Sequence, residues 1–83
     1  MEQRIDAFIS YMHNIKKTST NTELSYKRDL NKLNHYLRGK GILDVNKVSA
    51  SELQGFVTYM ESETFAAATV SRTIASMKAF WQY

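Results

Sequence analysis

Asn21, Arg28, Lys32 and His35 are spaced so that a helix through Thr18–Leu37 brings them to one side. Guanidinium, ammonium and amide groups gathered this way donate hydrogen bonds and carry positive charge, the chemistry that holds phosphate oxygens. The stretch reads TSTNTELSYKRDLNKLNHYL, and its other side carries Tyr26, Leu30, Leu33 and Leu37 as an apolar stripe. Such a helix buries one face in a domain and turns the other toward phosphates. Near the C-terminus a second helix repeats the pattern more weakly, with Arg72 and Ser76 expected to face out.

Other chemistry has little to build on. His13 and His35 are far apart in sequence, and no cysteine or carboxylate cluster completes a metal site. The glycines, Gly39, Gly41 and Gly55, form no phosphate-binding loop, and no serine sits in a nucleophile elbow. Glu61 and Glu63 point in different directions from one helix. A nucleophilic tyrosine needs cationic and imidazole groups around it, and none of the five tyrosines has them in sequence. Tyr26 and Tyr59 read as near inner faces, with Tyr11 and Tyr36 at the flanks. The chain therefore predicts neither an active site nor a cofactor.

The 83 residues suffice for one small domain, residues 1–83, folding without staples. With no cysteine, disulfides are excluded and a reducing compartment is compatible. No apolar run approaches the roughly 20 residues of a membrane span, and the N-terminus lacks a signal-peptide pattern, so a cytoplasmic location is expected. Net charge is only +3. Its distribution says more. Residues 16–40 hold Lys16, Lys17, Lys27, Arg28, Lys32, Arg38 and Lys40 against Glu23 and Asp29, about +5. Residues 41–63 hold Lys47 against Asp44, Glu52, Glu61 and Glu63, about −3. Charge alone leaves two readings open, a solvated lysine-rich helix and a nucleic-acid surface.

Periodicity gives four helices and no strand. The first, about Gln3 to Lys17, carries Ile5, Phe8, Ile9, Met12 and Ile15 as its inner stripe. Lys16 and Lys17 at its end also suit the helix dipole. Ser19 or Thr20 caps the second helix, and Thr20 with Glu23 has capping-box spacing. Gly39 or Gly41 closes it. Ile42, Leu43, Val45 and Val48 then belong to a connector lying over the bundle. Ser49 and Glu52 form a second capping box before Leu53, Phe56, Val57 and Met60. That helix stops near Glu63. Thr64–Thr69 suits either a turn or a helix start, and the fourth helix, under way by Val70, has Ile74, Met77 and Trp81 inside. Its apolar pattern is still running at Tyr83, as in a domain cut from a longer protein.

Asn21-Thr22, Tyr26, Asp29-Leu30 and Tyr36-Leu37 resemble the "NT…Y..DL..…FL" helix in the N-terminal core-binding domain of tyrosine recombinases, the phage-integrase family. An opening "FI.YM" helix (Phe8–Met12), "VSASELQGFVTYM" (Val48–Met60) and "TVSRTIASMKAFWQY" (Thr69–Tyr83) follow the family order, so the resemblance covers nearly the whole chain. Two positions depart: Glu23 replaces an aliphatic residue three before the tyrosine, and Phe65-Ala66-Ala67-Ala68 replaces a Leu-Ser-Pro-like turn. The resemblance implies an all-α, four-helix orthogonal bundle of SAM-like type. It also implies one jaw of a clamp on double-stranded DNA, without metal or nucleotide cofactor. Cleavage and rejoining would belong to a C-terminal catalytic domain absent from this chain, and other recombinase protomers would be partners. Carried onto outward positions, the implied DNA contacts are Lys17, Thr20, Asn21, Ser25, Arg28 and Lys32, flanked by Lys27, and on the fourth helix Thr69, Arg72 and Ser76, with Lys78 to the side. Arg72 is nominated for a base-edge or bidentate phosphate contact because its planar fork suits both.

Two other classes compete. A helix-turn-helix regulator needs a short turn, and the connector from Gly39 to Ser49 is too long for one. A helical protein-interaction module needs an exposed apolar face, for which Leu24, Phe80 and Tyr83 are candidates.

Overall fold

A computed structural model describes all residues from Met1 to Tyr83 as four helices and no strand. They are α1 (Glu2–Tyr11), α2 (Thr20–Gly39), α3 (Ala50–Ser62) and α4 (Ala67–Gln82). A π-helical turn, Met12–Lys16, extends α1, and a 3-10 turn, Val45–Lys47, lies in the α2–α3 connector. The core takes Ile5, Phe8 and Met12 from α1, Leu30, Leu33 and Leu37 from α2, Phe56 and Met60 from α3, and Met77 and Phe80 from α4. Each such side chain contributes about 1.5–3 kcal/mol on leaving water. The long helix α2 is central and contacts each of the other three.

The termini show which local signals were read out. Ser19, not Thr20, caps α2, accepting from the Thr22 backbone N–H at 3.2 Å. The Thr20–Glu23 box therefore does not form, and Glu23 turns inward. At the other end of α2, Gly41 takes φ +79°, and the Ile42 and Gly41 N–H groups donate to the Leu37 and Arg38 carbonyls. This is a Schellman closure. In the second box, Ser49 Oγ accepts from the Glu52 N–H at 3.3 Å and donates to Glu52 Oε1 at 3.1 Å.

Three expectations about side-chain direction are corrected. Ile15 is 67% exposed. The wider i→i+5 turn at Met12–Lys16 carries it off the stripe that runs through Ile5, Phe8 and Met12. Leu43 also faces solvent, although its neighbours Ile42, Val45 and Val48 pack against the core. Most consequential is α4. Its buried face is Thr73, Ser76, Met77 and Phe80, so Met77 is inside as expected, while Ile74 and Trp81, like Val70, are only half-buried. The helix carries two overlapping apolar strips and turns further onto α2 than its periodicity suggests. Thr73 and Ser76 tolerate this because their hydroxyls donate to the Thr69 and Thr73 carbonyls, each at 2.8 Å, and need no partner across the interface.

The three alanines begin α4, whose N-cap residue, Ala66, makes no side-chain cap. Before it, α3 ends in a second Schellman arrangement, with Thr64 and Phe65 N–H donating to the Glu61 and Met60 carbonyls. Its left-handed position is held by Thr64 at φ 60°, a conformation costly for a β-branched residue. Thr64→Gly should therefore raise the unfolding free energy by about 1 kcal/mol, read as a higher urea midpoint at unchanged slope. An unchanged or lower midpoint would show that Thr64 bears no strain.

Candidate nucleic-acid interface

The outward arc of α2 carries the candidate groups. Asn21 and Arg28 are exposed and Ser25 and Lys32 half-buried, and all four lie within one strip of the helix because they recur at steps of four, three and four. Thr20, in the first turn, and Lys17, in the preceding connector, are exposed beside its N-terminal end. Lys17 itself adopts left-handed geometry (φ 53°, ψ 44°) and closes the π turn, its N–H donating to the Met12 carbonyl. The Thr18 N–H and hydroxyl point to the same carbonyl at 3.2 and 3.3 Å.

A polar cluster fixes this corner. Glu23 is buried and accepts from the Thr18 hydroxyl at 2.8 Å, and His13 Nδ1 lies 3.2 Å from its other oxygen. An acid thus occupies the place of the family's aliphatic residue because two polar partners from the α1–α2 junction meet it there. The cluster sets where α2 begins, and so the direction in which its first free N–H groups point.

The positive charges differ in what already holds them. Lys27 lies 3.6 Å from Asp6 and Arg38 3.8 Å from Glu2, both pairs at the surface and joining α1 to α2. The Lys32 ammonium sits 4.8 Å over the Phe65 ring. Arg28, Lys16 and Lys17 enter no ion pair with any carboxylate of the chain. Their charge is free to meet an external anion.

On α4 the expectation does not hold for two residues. Ser76 is fully buried against the core, so its hydroxyl is not offered to a ligand. Arg72 is half-buried and faces α2, where Nε and Nη2 each donate to a carboxylate oxygen of Asp29 at 2.8 Å. Asp29 is fully buried. Hydrogen bonding to Asp29, opposed by desolvation and aided by its charge, raises the Arg72 pKa above the ordinary guanidinium value. The planar fork that suggested DNA recognition is engaged inside the protein. Thr69 is half-buried, with its carbonyl used by Thr73, and Lys78 is exposed. The solvent side of α4 consists of Ser71, Ala75, Lys78 and Gln82, an almost uncharged strip.

Among the competing apolar candidates, Phe80 is buried, edge-on to Phe8 at 5.6 Å between ring centres. Leu24 and Tyr83 remain exposed. Tyr59 is also exposed and packs beside Tyr36, with ring centres 5.3 Å apart, away from the inner face. Sequence reasoning missed Asp29 as a structural anchor. The available signal was an acid at the edge of the Tyr26–Leu37 stripe, where burial demands a cation.

Removing the guanidinium strands a buried charge. Because Arg72 reaches solvent, Arg72→Ala should cost about 2–3 kcal/mol, below the range for fully enclosed pairs. The double variant Asp29→Leu with Arg72→Leu should be more stable than Arg72→Ala alone. Urea unfolding of both checks this, and a double variant no better than the single one would contradict it.

Comparison with known proteins agrees with this architecture. Residues 5–83 match the family model described as the phage integrase, N-terminal SAM-like domain. The chain is 32% identical to tyrosine recombinase XerD of Listeria monocytogenes, over 100% of its own length and 28% of that protein. It is 25% identical to tyrosine recombinase XerC of Listeria innocua over 92% of the chain and 25% of the relative. Against XerC of Roseiflexus castenholzii it is 24% identical over 100% and 26%. The chain thus spans about a quarter of the length of these relatives. No solved structure matches it. With four helices in family order and a match running from Ile5 to Tyr83, the chain belongs to the phage integrase N-terminal SAM-like domain family.

Proposed function

We propose that this domain binds duplex DNA as the non-catalytic N-terminal part of a tyrosine recombinase, in DNA integration or recombination. The observation that carries the reading is the free outer arc of α2. Arg28 is exposed and unpaired there, Asn21, Ser25 and Lys32 line the same strip, and Lys17 and Thr20 stand at its end. Cations release counterions from the phosphate backbone, while hydroxyls, amides and unpaired N–H groups at a helix start set register on it. Lys27 lends charge at the flank, though it shares it with Asp6. From α4, Lys78 and the edge at Thr69 are secondary contacts.

Arg72 and Ser76 act differently in this reading. Arg72 contributes by holding α4 against α2, and Ser76 by being small at that interface. Strand cleavage is assigned to a C-terminal catalytic domain of the parent protein, with other recombinase protomers as partners. The relatives' names, tyrosine recombinase XerC and XerD, support that assignment. A helix-turn-helix reading is disfavoured, because residues 40–49 with a 3-10 turn separate α2 from α3.

Binding should be weak, salt-sensitive and little dependent on sequence. Arg28→Ala should lower affinity for a short duplex severalfold and reduce the slope of log affinity against log salt by about one. Glu61→Ala, on α3 away from the strip, should leave both unchanged. Fluorescence anisotropy at three salt concentrations reads these values; equal slopes for wild type and Arg28→Ala would exclude this face.

A further inference from the structure

Between α2 and α3 lies an open groove of about 460 Å³, in the size range of ligand sites. Its floor and walls are aromatic. Tyr36 packs against Phe56 and Tyr59, with ring centres at 5.2 and 5.3 Å, and Phe65 stands on the far side. Its rim carries Arg28 and Lys32, and no carboxylate lines it. Burial does not account for this arrangement, since Tyr59 is 43% exposed and Arg28 has no ion-pair partner.

Behind the groove sits a residue that the helix alone disfavours. Gly55 lies in the interior of α3, where glycine costs roughly 0.5–1 kcal/mol relative to alanine. A Cβ at that position would lie 3.2 Å from the Tyr36 hydroxyl. Glycine leaves the Tyr36 hydroxyl room against α3. Phe65 is positioned from the other side by the Schellman closure of α3 and by the Lys32 ammonium over its ring.

Flat walls with a cationic rim suit a planar aromatic group that bears an anion. We propose that this groove takes one unpaired nucleotide of a DNA strand, its base against Tyr59 and Phe65 and its phosphate at Arg28 and Lys32. Stacking accepts any base, because every base has a π face, and the rim supplies the phosphate contact. The wall residue Asn31 offers an amide to a base edge. A peptide is the weaker occupant, because the groove offers no strand edge to pair with its backbone. The proposal deepens the duplex-binding reading, since Arg28 and Lys32 belong to both surfaces, but the aromatic walls lie outside the duplex-facing strip.

The test is an amide chemical-shift titration of the 83-residue chain with a single-stranded tetranucleotide, a fully paired duplex and a short acidic peptide containing phenylalanine. The single strand should shift Tyr36, Tyr59 and Phe65, and the paired duplex should shift the strip from Asn21 to Lys32 but not Tyr59 or Phe65. Tyr59→Leu, a surface change that keeps the fold, should weaken single-strand binding by about tenfold and leave duplex binding unchanged. Phe65→Leu should do the same, provided its thermal midpoint shows it folded. Single-strand shifts that are absent, or confined to lysines and insensitive to Tyr59→Leu, would overturn the groove proposal. Peptide shifts at the groove without single-strand shifts would overturn it in favour of a protein partner. Groove shifts with the single strand but none with the duplex would uphold the groove and remove the duplex reading.

Discussion

The structure depends on one buried ion pair. Asp29 is fully enclosed, and in a low-dielectric interior its charge is tolerable only because Arg72 meets both carboxylate oxygens. This fork couples the middle of α2 to the start of α4 across 43 residues of sequence. It is directional where hydrophobic contacts are not. Leu30, Leu33 and Leu37 would accept several rotations of α4, whereas the paired hydrogen bonds select the one that puts residue 72 opposite residue 29.

From that choice follow the features that shape the outer surface. Turned onto α2, α4 buries Thr73 and Ser76, whose small side chains and self-satisfied hydroxyls allow it. Its solvent side is then left to Ser71, Ala75, Lys78 and Gln82, with a single charge. The cluster of His13, Thr18 and Glu23 does for the start of α2 what Asp29 and Arg72 do for its middle. Between these two fixed points the unpaired basic arc of α2 becomes the domain's main electrostatic feature. The domain fixes its geometry with the charges it buries and leaves Lys16, Lys17 and Arg28 without an ion-pair partner.

Much of this was legible in the sequence. Helix number, the α2 stripe, the cap at Ser49 and the stop at Gly41 follow from periodicity and end chemistry, and all are local. The failures are non-local. Ile15 was assigned inward because a regular helix was assumed, and nothing in MHNIK announces a π turn. The inner face of α4 is read only in part. Met77 is buried as its spacing predicts, but Ile74 and Trp81 are half-buried, and Thr73, Ser76 and Phe80 take the remaining inner positions. Both sets fit a helix, and apolarity favours Ile74 and Trp81 over Thr73 and Ser76. Arg72 looked like a free recognition residue because its partner is distant in sequence. Of the proposed contacts on α2 and its approach, Lys17, Thr20, Asn21, Lys27 and Arg28 are exposed and Ser25 and Lys32 half-buried, whereas on α4 Ser76 is buried and Arg72 is engaged by Asp29.

The proposed function divides labour between two arginines: Arg72 is engaged by Asp29, and Arg28, without an ion-pair partner, is left for DNA. The most direct measurement is the side-chain Nε–H signal of each arginine, followed by nitrogen-15 NMR while a short duplex is added at low salt. The account predicts that the Arg72 signal, slow to exchange with water and hydrogen-bonded to Asp29, stays in place while the Arg28 signal moves. An Arg72 signal that shifts in step with added DNA, with Arg28 unmoved, would contradict it.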